Sequence, residues 1–173
     1  MALVNSILGE DAVLKYSGLI ASFPGSTNQP WHGDGPHLFG RKMQCPIHAV
    51  NLFIPLTDIS DELGPTEFLP ESHLLSNAME ADAQIKYSNK NTAGSIKPLL
   101  KRGDLLFYDY RLVHRGTGNK HPNQTRLMFY MLYTKPWFNE NINFGENSIF
   151  SENAFDHKTK IGENPECAGY VNI

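Results

Sequence analysis

Prolines and glycines recur along the whole chain and divide its apolar residues into short stretches. The sequence holds eleven prolines and fourteen glycines in 173 residues. Neither residue favours a long helix, because proline lacks an amide hydrogen and glycine costs conformational entropy. Short apolar stretches bounded by turn residues are typical of β-sandwiches and small barrels. The sequence therefore predicts a mainly β fold, and its length is that of one ordinary domain.

Several segments have the composition of β-strands. They are 13–23, 48–57, 66–69, 96–100, 105–110 and 126–134. The last one, RLMFYMLYT, is the richest in β-prone residues, so we expect it at the centre of a sheet. Only a short turn joins 96–100 to 105–110, and we expect these two strands to be neighbours. Ser76 to Lys86 is predicted as a helix. A single domain is expected over 1–173, with its core at about 13–137 and a loop-rich tail at 138–173.

Charge and hydropathy exclude several classes of partner. The formal net charge is −3 and the fifteen basic residues are scattered, so the sequence predicts no nucleic-acid or anionic-membrane surface. No apolar run approaches the roughly 20 residues that span a bilayer, and acidic residues come early for a signal peptide. We therefore expect a soluble, cytoplasmic protein whose partner is a small molecule. Cys45 and Cys167 form no CxxC pair and are expected to be reduced thiols.

Two potential metal ligands, His32 and Asp34, lie in the string QPWHGDG. Residues i and i+2 of an extended segment project to the same side, so both side chains can reach one ion. His114, at the end of the apolar run DLLFYDYRLVH, supplies a third ligand. Two histidines and one carboxylate leave coordination positions open, as an oxygen-activating Fe(II) centre requires, whereas a structural zinc site closes all four. His37 completes an HxDxxH string and is an alternative third ligand.

Three segments, in this order, resemble the phytanoyl-CoA dioxygenase family. They are QPWHGDG at 29–35, GPTEFLPESH at 64–73 and GDLLFYDYRLVHRG at 103–116. The resemblance covers about residues 13–137. It implies a double-stranded β-helix, which is a distorted jelly-roll or cupin-like barrel with a few short helices. It also implies Fe(II) at the mouth of the barrel, held by His32, Asp34 and His114, with the cosubstrate 2-oxoglutarate reaching inward.

The resemblance also indicates where 2-oxoglutarate binds. It implies an arginine at the start of the last barrel strand, and Arg126 matches that position. A guanidinium pairs with a carboxylate through two charge-assisted hydrogen bonds, although a protein carboxylate could be its partner instead. Family members often carry a serine two residues after the distal histidine, where this chain has Gly116. Thr117 or Thr125 is expected to take the place of that serine.

A few other residues are candidates for ligand contacts. Asn51 shares a strand face with Phe53, where a buried amide needs a polar partner; this is either the cosubstrate or substrate, or an ordinary hydrogen bond. Trp31 and His37 are candidates for the substrate pocket, although an aromatic residue at strand spacing is usually part of the core. The cations that flank His114, namely Arg111 and Arg115, would meet an anionic substrate or be solvated.

These features together predict an oxidoreductase. The hypothesis is an Fe(II)- and 2-oxoglutarate-dependent dioxygenase that uses O2 to hydroxylate a small organic substrate, with release of succinate and CO2. One alternative is a metal-dependent, cupin-like hydrolase or isomerase, which would have no need of a dicarboxylate anchor such as Arg126. Another is a catalytically degenerate binding module of the same fold. The complete set of metal ligands argues against this alternative.

Overall fold

A computed structural model describes residues 2–74, 94–140 and 169–172. The chain is mainly β, as the sequence predicts. Its regular elements are α1 (Ala2–Leu8), β1 (Val13–Ser22), a 3-10 turn (Gly40–Lys42), β2 (Ala49–Pro55), β3 (Thr66–Phe68), β4 (Leu106–Asp109), β5 (His114–Gly116), β6 (Arg126–Thr134) and β7 (Gly169–Asn172). No helix among these residues has the length and apolar character that crossing a bilayer requires.

The described strands form two sheets. The larger one has the order β4-β2-β6-β1-β7, and every neighbouring pair in it is antiparallel. The smaller one pairs β3 with β5, also antiparallel. The backbone of His32 bridges to that of His114, which ties the loop after β1 to the smaller sheet. This is the double-stranded β-helix that the family resemblance implies.

The larger sheet uses its two faces differently, because successive side chains of a strand point to opposite sides. On β2, Phe53 packs into an interior cluster with residues from β1, β3, β4 and β6. Its neighbour Leu52 packs on the outer face, where Val4 and Leu8 of α1 cover it. Helix α1 is too short to be stable alone, so its stability comes from this packing. The interior face is the one that carries the functional residues described below.

Most of the strand predictions are confirmed. The strands β1, β2, β3, β4 and β6 lie within the predicted segments, and β6 is the central strand of its sheet. The segment 96–100 is different: only Ile96 pairs, and its partner is Phe68, whereas β4 pairs with β2. The expected neighbour relation between 96–100 and 105–110 was therefore wrong. Pro98 explains why pairing stops, because it has no amide hydrogen to donate.

The chain ends also differ from expectation. Helix α1 was not predicted, since seven residues show too little periodicity to be recognised. Strand β7 lies in the segment predicted as a loop-rich tail, and it pairs with β1 at the edge of the larger sheet. The predicted helix at Ser76 to Lys86 lies outside the described residues. The expectation that 1–173 forms a single domain remains a prediction.

Glu67 of β3 is a buried carboxylate that several side chains hold. Ser95 donates to it at 2.7 Å, and Arg115 donates through Nε at 2.8 Å and approaches through Nη2 at 2.7 Å. Lys97 Nζ lies 3.9 Å away. Burial alone would raise the pKa of Glu67, but the two hydrogen-bonding side chains and the positive charges outweigh it, and the pKa lies below its usual value.

Replacing Glu67 with glutamine is expected to lower the free energy of unfolding by about 1–3 kcal/mol near pH 7, because the half-buried guanidinium of Arg115 loses its charged partner. A carboxylate whose pKa is lowered by folding stabilises the folded protein at pH values above its unfolded pKa. This stabilisation is lost as the pH falls through the folded pKa. The deficit of the variant should therefore shrink below about pH 4. Urea unfolding of both proteins at several pH values measures this deficit, and Glu62→Gln, at an exposed position, is the control. A deficit that does not change with pH would contradict this account.

Candidate metal centre

Backbone pairing brings the three predicted ligands together. The amide of His32 donates to the carbonyl of His114 at 2.9 Å, and the amide of His114 donates to the carbonyl of His32 at 2.8 Å. Their rings consequently lie side by side, with centroids 4.5 Å apart. The amide of Asp34 donates to the carbonyl of Tyr110 at 3.1 Å. The two segments that carry the ligands are thus hydrogen-bonded to each other on both sides of the site.

Backbone carbonyls also fix the state of both histidine rings. Nδ1 of His32 lies 2.8 Å from the carbonyl of Pro30, and Nδ1 of His114 lies 2.9 Å from that of Leu112. A carbonyl only accepts hydrogen bonds, so each Nδ1 carries a proton, and in the neutral ring the lone pair is therefore on Nε2. Nε2 of His32 is 4.0 Å from Oδ1 of Asp34, and Nε2 of His114 is 3.8 Å from Oδ2.

This arrangement fits a divalent cation. One ligand atom from each of His32, Asp34 and His114 can be chosen so that all lie within 4.8 Å of one another. Two imidazole lone pairs facing a carboxylate are a set of acceptors, and a cation between them satisfies all three. Burial lowers the pKa of His114, against the opposing effect of Asp34. The ring is thereby kept in the neutral form that a metal ligand needs.

A cleft of about 650 Å³, counting its part open to solvent, begins at the three ligands. Its walls combine apolar and aromatic side chains with a few polar ones. The lining residues are Ile20, Gln29, His32, Asp34, Asn51, Phe53, Thr66, Tyr108, Tyr110, His114, Gly116, Arg126, Met128 and Tyr130. The mixture is that of a small-molecule site, in which apolar walls surround a few oriented polar groups.

Arg126 lies in this cleft together with the metal ligands, as the sequence predicts for a cosubstrate anchor. It begins β6 and only 3% of it is exposed. Its Nη1 donates to the carbonyl of Gly64. Gly64 has φ of +76°, and a Cβ there would lie 2.6 Å from the carbonyl oxygen of Gly118, so only glycine presents its carbonyl to the guanidinium in this way.

Gln29 is a cleft residue to which the sequence analysis gave no role. Its side-chain Oε1 accepts from the backbone amide of Gly116 at 2.7 Å, and its backbone amide donates to the carbonyl of Gly116 at 2.8 Å. A Cβ at Gly116 would lie 2.6 Å from that Oε1. Gln29 therefore fills the space that a serine side chain at position 116 would occupy. Its side-chain NH2 can donate within the cleft. The string QPWHGDG contained the residue, but nothing local in the sequence showed its partner.

The structure places Asn51 next to Asp34. Its Nδ2 donates to Oδ2 of Asp34 at 2.5 Å, and it lines the cleft. Thr117 does not support its predicted role: its Oγ1 donates to the carbonyl of Pro65 at 2.6 Å, and it is not part of the cleft lining. Alternation along the chain explains this, because Gly116 faces the cleft and the next residue faces away.

Trp31 and His37 lie outside the cleft lining, in contrast to their expected substrate contacts. Trp31 is 4% exposed and faces away from its neighbour His32, with the guanidinium of Arg115 4.5 Å from its ring centroid. His37 is buried rather than facing a substrate. Burial and the nearby charge of Arg111 lower the pKa of His37.

The cations that flank His114 have protein partners. Arg111 is 5% exposed and donates to both oxygens of Asp109, at 2.9 Å and 2.7 Å, while its Nη1 donates to the carbonyl of Cys45 at 3.0 Å. Arg115 is paired with Glu67. Their charges are therefore compensated within the protein, whereas the sequence analysis left open an anionic substrate or solvent.

Fold and site together define a class: a double-stranded β-helix with two histidines and one carboxylate converging at the mouth of its cleft. The profile of the phytanoyl-CoA dioxygenase (PhyH) family matches residues 1–127. The chain belongs to this family, as its three sequence segments indicate.

Individual proteins show the same relationship. The chain is 29% identical to the Dioxygenase easH of Epichloe festucae var. lolii over 113 residues, which are 64% of this chain and 57% of the relative. The structure of AviO1 from Streptomyces viridochromogenes Tue57 superposes with a TM-score of 0.62 at 24% identity, covering 80% of this chain and 57% of that one. The epimerase SnoN, in complex with Fe3+, alpha ketoglutarate and nogalamycin RO, superposes with a TM-score of 0.59 at 21% identity, covering 78% and 54%. The chain thus spans little more than half the length of these proteins.

Proposed function

We propose that this chain is an Fe(II)- and 2-oxoglutarate-dependent dioxygenase that hydroxylates a small organic substrate and releases succinate and CO2. One observation carries the proposal: the three converging ligands and the buried guanidinium of Arg126 line the same cleft. A metal-dependent hydrolase or isomerase would use the ligands and would leave Arg126 without a function. The family and the named dioxygenase relative support the same activity.

His32, Asp34 and His114 would hold the iron and leave adjacent coordination positions open on the cleft side. An iron held there would activate O2, the oxidant, with 2-oxoglutarate as co-reductant, for the oxidation of a substrate C–H bond. The backbone carbonyls of Pro30 and Leu112 keep both Nε2 atoms aimed at the ion, so the site is formed before the metal binds.

Arg126 would bind the far carboxylate of 2-oxoglutarate. A permanent positive charge compensates a buried carboxylate, and its planar fork fixes the direction of the molecule. Gln29 and Thr66 line the same cleft and bring an amide and a hydroxyl as further donors. Thr66 is paired with Gly116 across the smaller sheet, and Gln29 accepts from the amide of Gly116, so both donors lie beside this glycine.

The remaining walls suit a substrate whose reacting part is apolar. Ile20, Phe53, Met128 and Tyr130 contribute apolar or aromatic surface and exclude water from the cleft. The charges of Arg111 and Arg115 are compensated by Asp109 and Glu67, so they provide no ready site for the phosphates of a coenzyme A thioester. A small-molecule partner and a cytoplasmic location remain predictions.

Calorimetric titration of 2-oxoglutarate into the Fe(II)-loaded chain under anaerobic conditions tests this proposal. Glutarate, which has both carboxylates but no keto oxygen, is the matched ligand. We expect 2-oxoglutarate to bind much more tightly than glutarate, because only the keto acid can chelate the metal through adjacent oxygens. A chain that binds metal but neither ligand would favour the hydrolase or isomerase, and equal binding of both would argue against chelation.

Gly116→Ser is expected to weaken 2-oxoglutarate binding by about tenfold, the equivalent of one hydrogen bond of about 1.4 kcal/mol. The added Cβ would lie 2.6 Å from Oε1 of Gln29 and would displace its amide. The double variant Gln29→Ala/Gly116→Ser makes room for the family's serine, and we expect it to recover most of the affinity. The same titration measures both. A single variant that binds like the wild type would show that Gln29 does not assist the cosubstrate.

A further inference from the structure

The contact between Asn51 and Asp34 joins the central part of the larger sheet to the loop that carries the metal ligands. Nδ2 of Asn51 lies 2.5 Å from Oδ2 of Asp34. We propose that Asn51 is a positioning residue that holds this carboxylate in the orientation in which it faces the two histidine rings. The inference rests on the metal centre of the proposed function and assigns Asn51 a role other than cosubstrate binding.

The backbone of Asn51 is held on both sides. It is a residue of β2, the strand between β4 and β6, and it pairs with Tyr108 on one side and Leu132 on the other. Only 6% of the residue is exposed. A short side chain on such a strand projects in a fixed direction, here toward the interior that also contains Phe53.

Asp34, in contrast, lies on a loop with glycine on both sides. Its backbone amide is held by the carbonyl of Tyr110 at 3.1 Å, and this bond leaves the orientation of the carboxylate to side-chain contacts. An aspartate side chain can present one oxygen, the other or both to an ion. The Asn51 bond selects among these orientations, because it fixes which oxygen lies toward β2.

The chemistry of the two side chains determines which group of Asn51 faces Asp34. An amide oxygen would repel the carboxylate, so the group that faces Asp34 is the NH2 of Asn51. Hydrogen bonds to a charged acceptor are shorter and stronger than neutral ones. In this orientation Oδ1 lies 4.0 Å from Nε2 of His32, and Oδ2 lies 3.8 Å from Nε2 of His114. The carboxylate therefore faces both ring nitrogens with which it would share a metal. Residues that orient a ligand in this way affect metal affinity about 10- to 100-fold when they are replaced.

Co(II) titration of the metal-free chain tests the role of Asn51, followed by visible absorption, without 2-oxoglutarate or O2. Asn51→Leu removes the donor at similar volume, and Asn51→Val is a second variant that suits a strand. We expect both to bind Co(II) about 10- to 100-fold more weakly and to give a changed absorption spectrum. Thr134→Val is the matched control: it removes a fully buried hydroxyl from β6, away from the cleft, and should bind Co(II) like the wild type.

The same titration in an Asp34→Asn background separates positioning from general damage. If Asn51 acts through Asp34, adding Asn51→Leu to Asp34→Asn should weaken Co(II) binding less than about twofold further, because the oriented carboxylate is already gone. An undiminished effect in that background would overturn the inference, and so would wild-type affinity and spectrum in either single variant. A wild-type chain that binds no Co(II) would instead contradict the proposed metal centre, so the two failures are distinguishable.

Discussion

His114→Ala is expected to lose Fe(II) and all 2-oxoglutarate-dependent O2 consumption. The variant removes one of three ligands, and the affinity should fall by more than about 100-fold, since the loss of a supporting residue alone costs 10- to 100-fold. Metal content after desalting and a Co(II) titration measure the loss, with circular dichroism to confirm that the chain is folded.

His37→Ala is the matched control for this experiment. His37 belongs to the HxDxxH string that offered an alternative third ligand, but it lies outside the cleft lining. We expect this variant to retain its metal. If His37→Ala loses the metal while His114→Ala keeps it, the assignment of the third ligand is wrong.

Arg126→Met is expected to weaken 2-oxoglutarate binding by about 30-fold or more while metal affinity stays within about twofold. Truncating one partner of a buried charge pair costs about 2–5 kcal/mol, and each 1.4 kcal/mol is a factor of ten. Arg126→Lys should recover only part of the affinity, because an ammonium cannot make the bidentate pair.

The control for Arg126 is Arg115→Met, which removes a cation that is paired with Glu67 outside the cleft lining. Its 2-oxoglutarate affinity should remain that of the wild type. Calorimetry on the metal-loaded variants measures the 2-oxoglutarate affinity of each. Equal weakening by the two substitutions would mean that general positive charge, rather than a specific anchor, attracts the cosubstrate.

The sequence predicted those features that local composition or a short spacing determines. β6 was recognised because RLMFYMLYT is strongly β-prone, and it is central because β2 and β1 pair with it on either side. His32 and Asp34 were recognised from their spacing. His114 required the longer motif, since its backbone pairing with His32 joins segments far apart in the chain.

Features that depend on distant contacts escaped sequence analysis. Gln29 fills the space at Gly116, and Asn51 donates to Asp34, but neither pairing leaves a local pattern in the sequence. Thr117 was expected to contribute to the cosubstrate pocket because it follows Gly116, yet its hydroxyl is bound to Pro65. Directions alternate along an extended chain, so the residue that follows a position facing the cleft points away from it.

Succinate formation coupled to O2 uptake tests the central claim most directly. The chain is loaded anaerobically with Fe(II), given 2-oxoglutarate and ascorbate, and then exposed to O2, beside His114→Ala and Arg126→Met. The proposed dioxygenase should form succinate in step with the O2 consumed, even without substrate, and both variants should form almost none. A wild-type chain that binds metal and 2-oxoglutarate but forms no more succinate than His114→Ala would contradict the account.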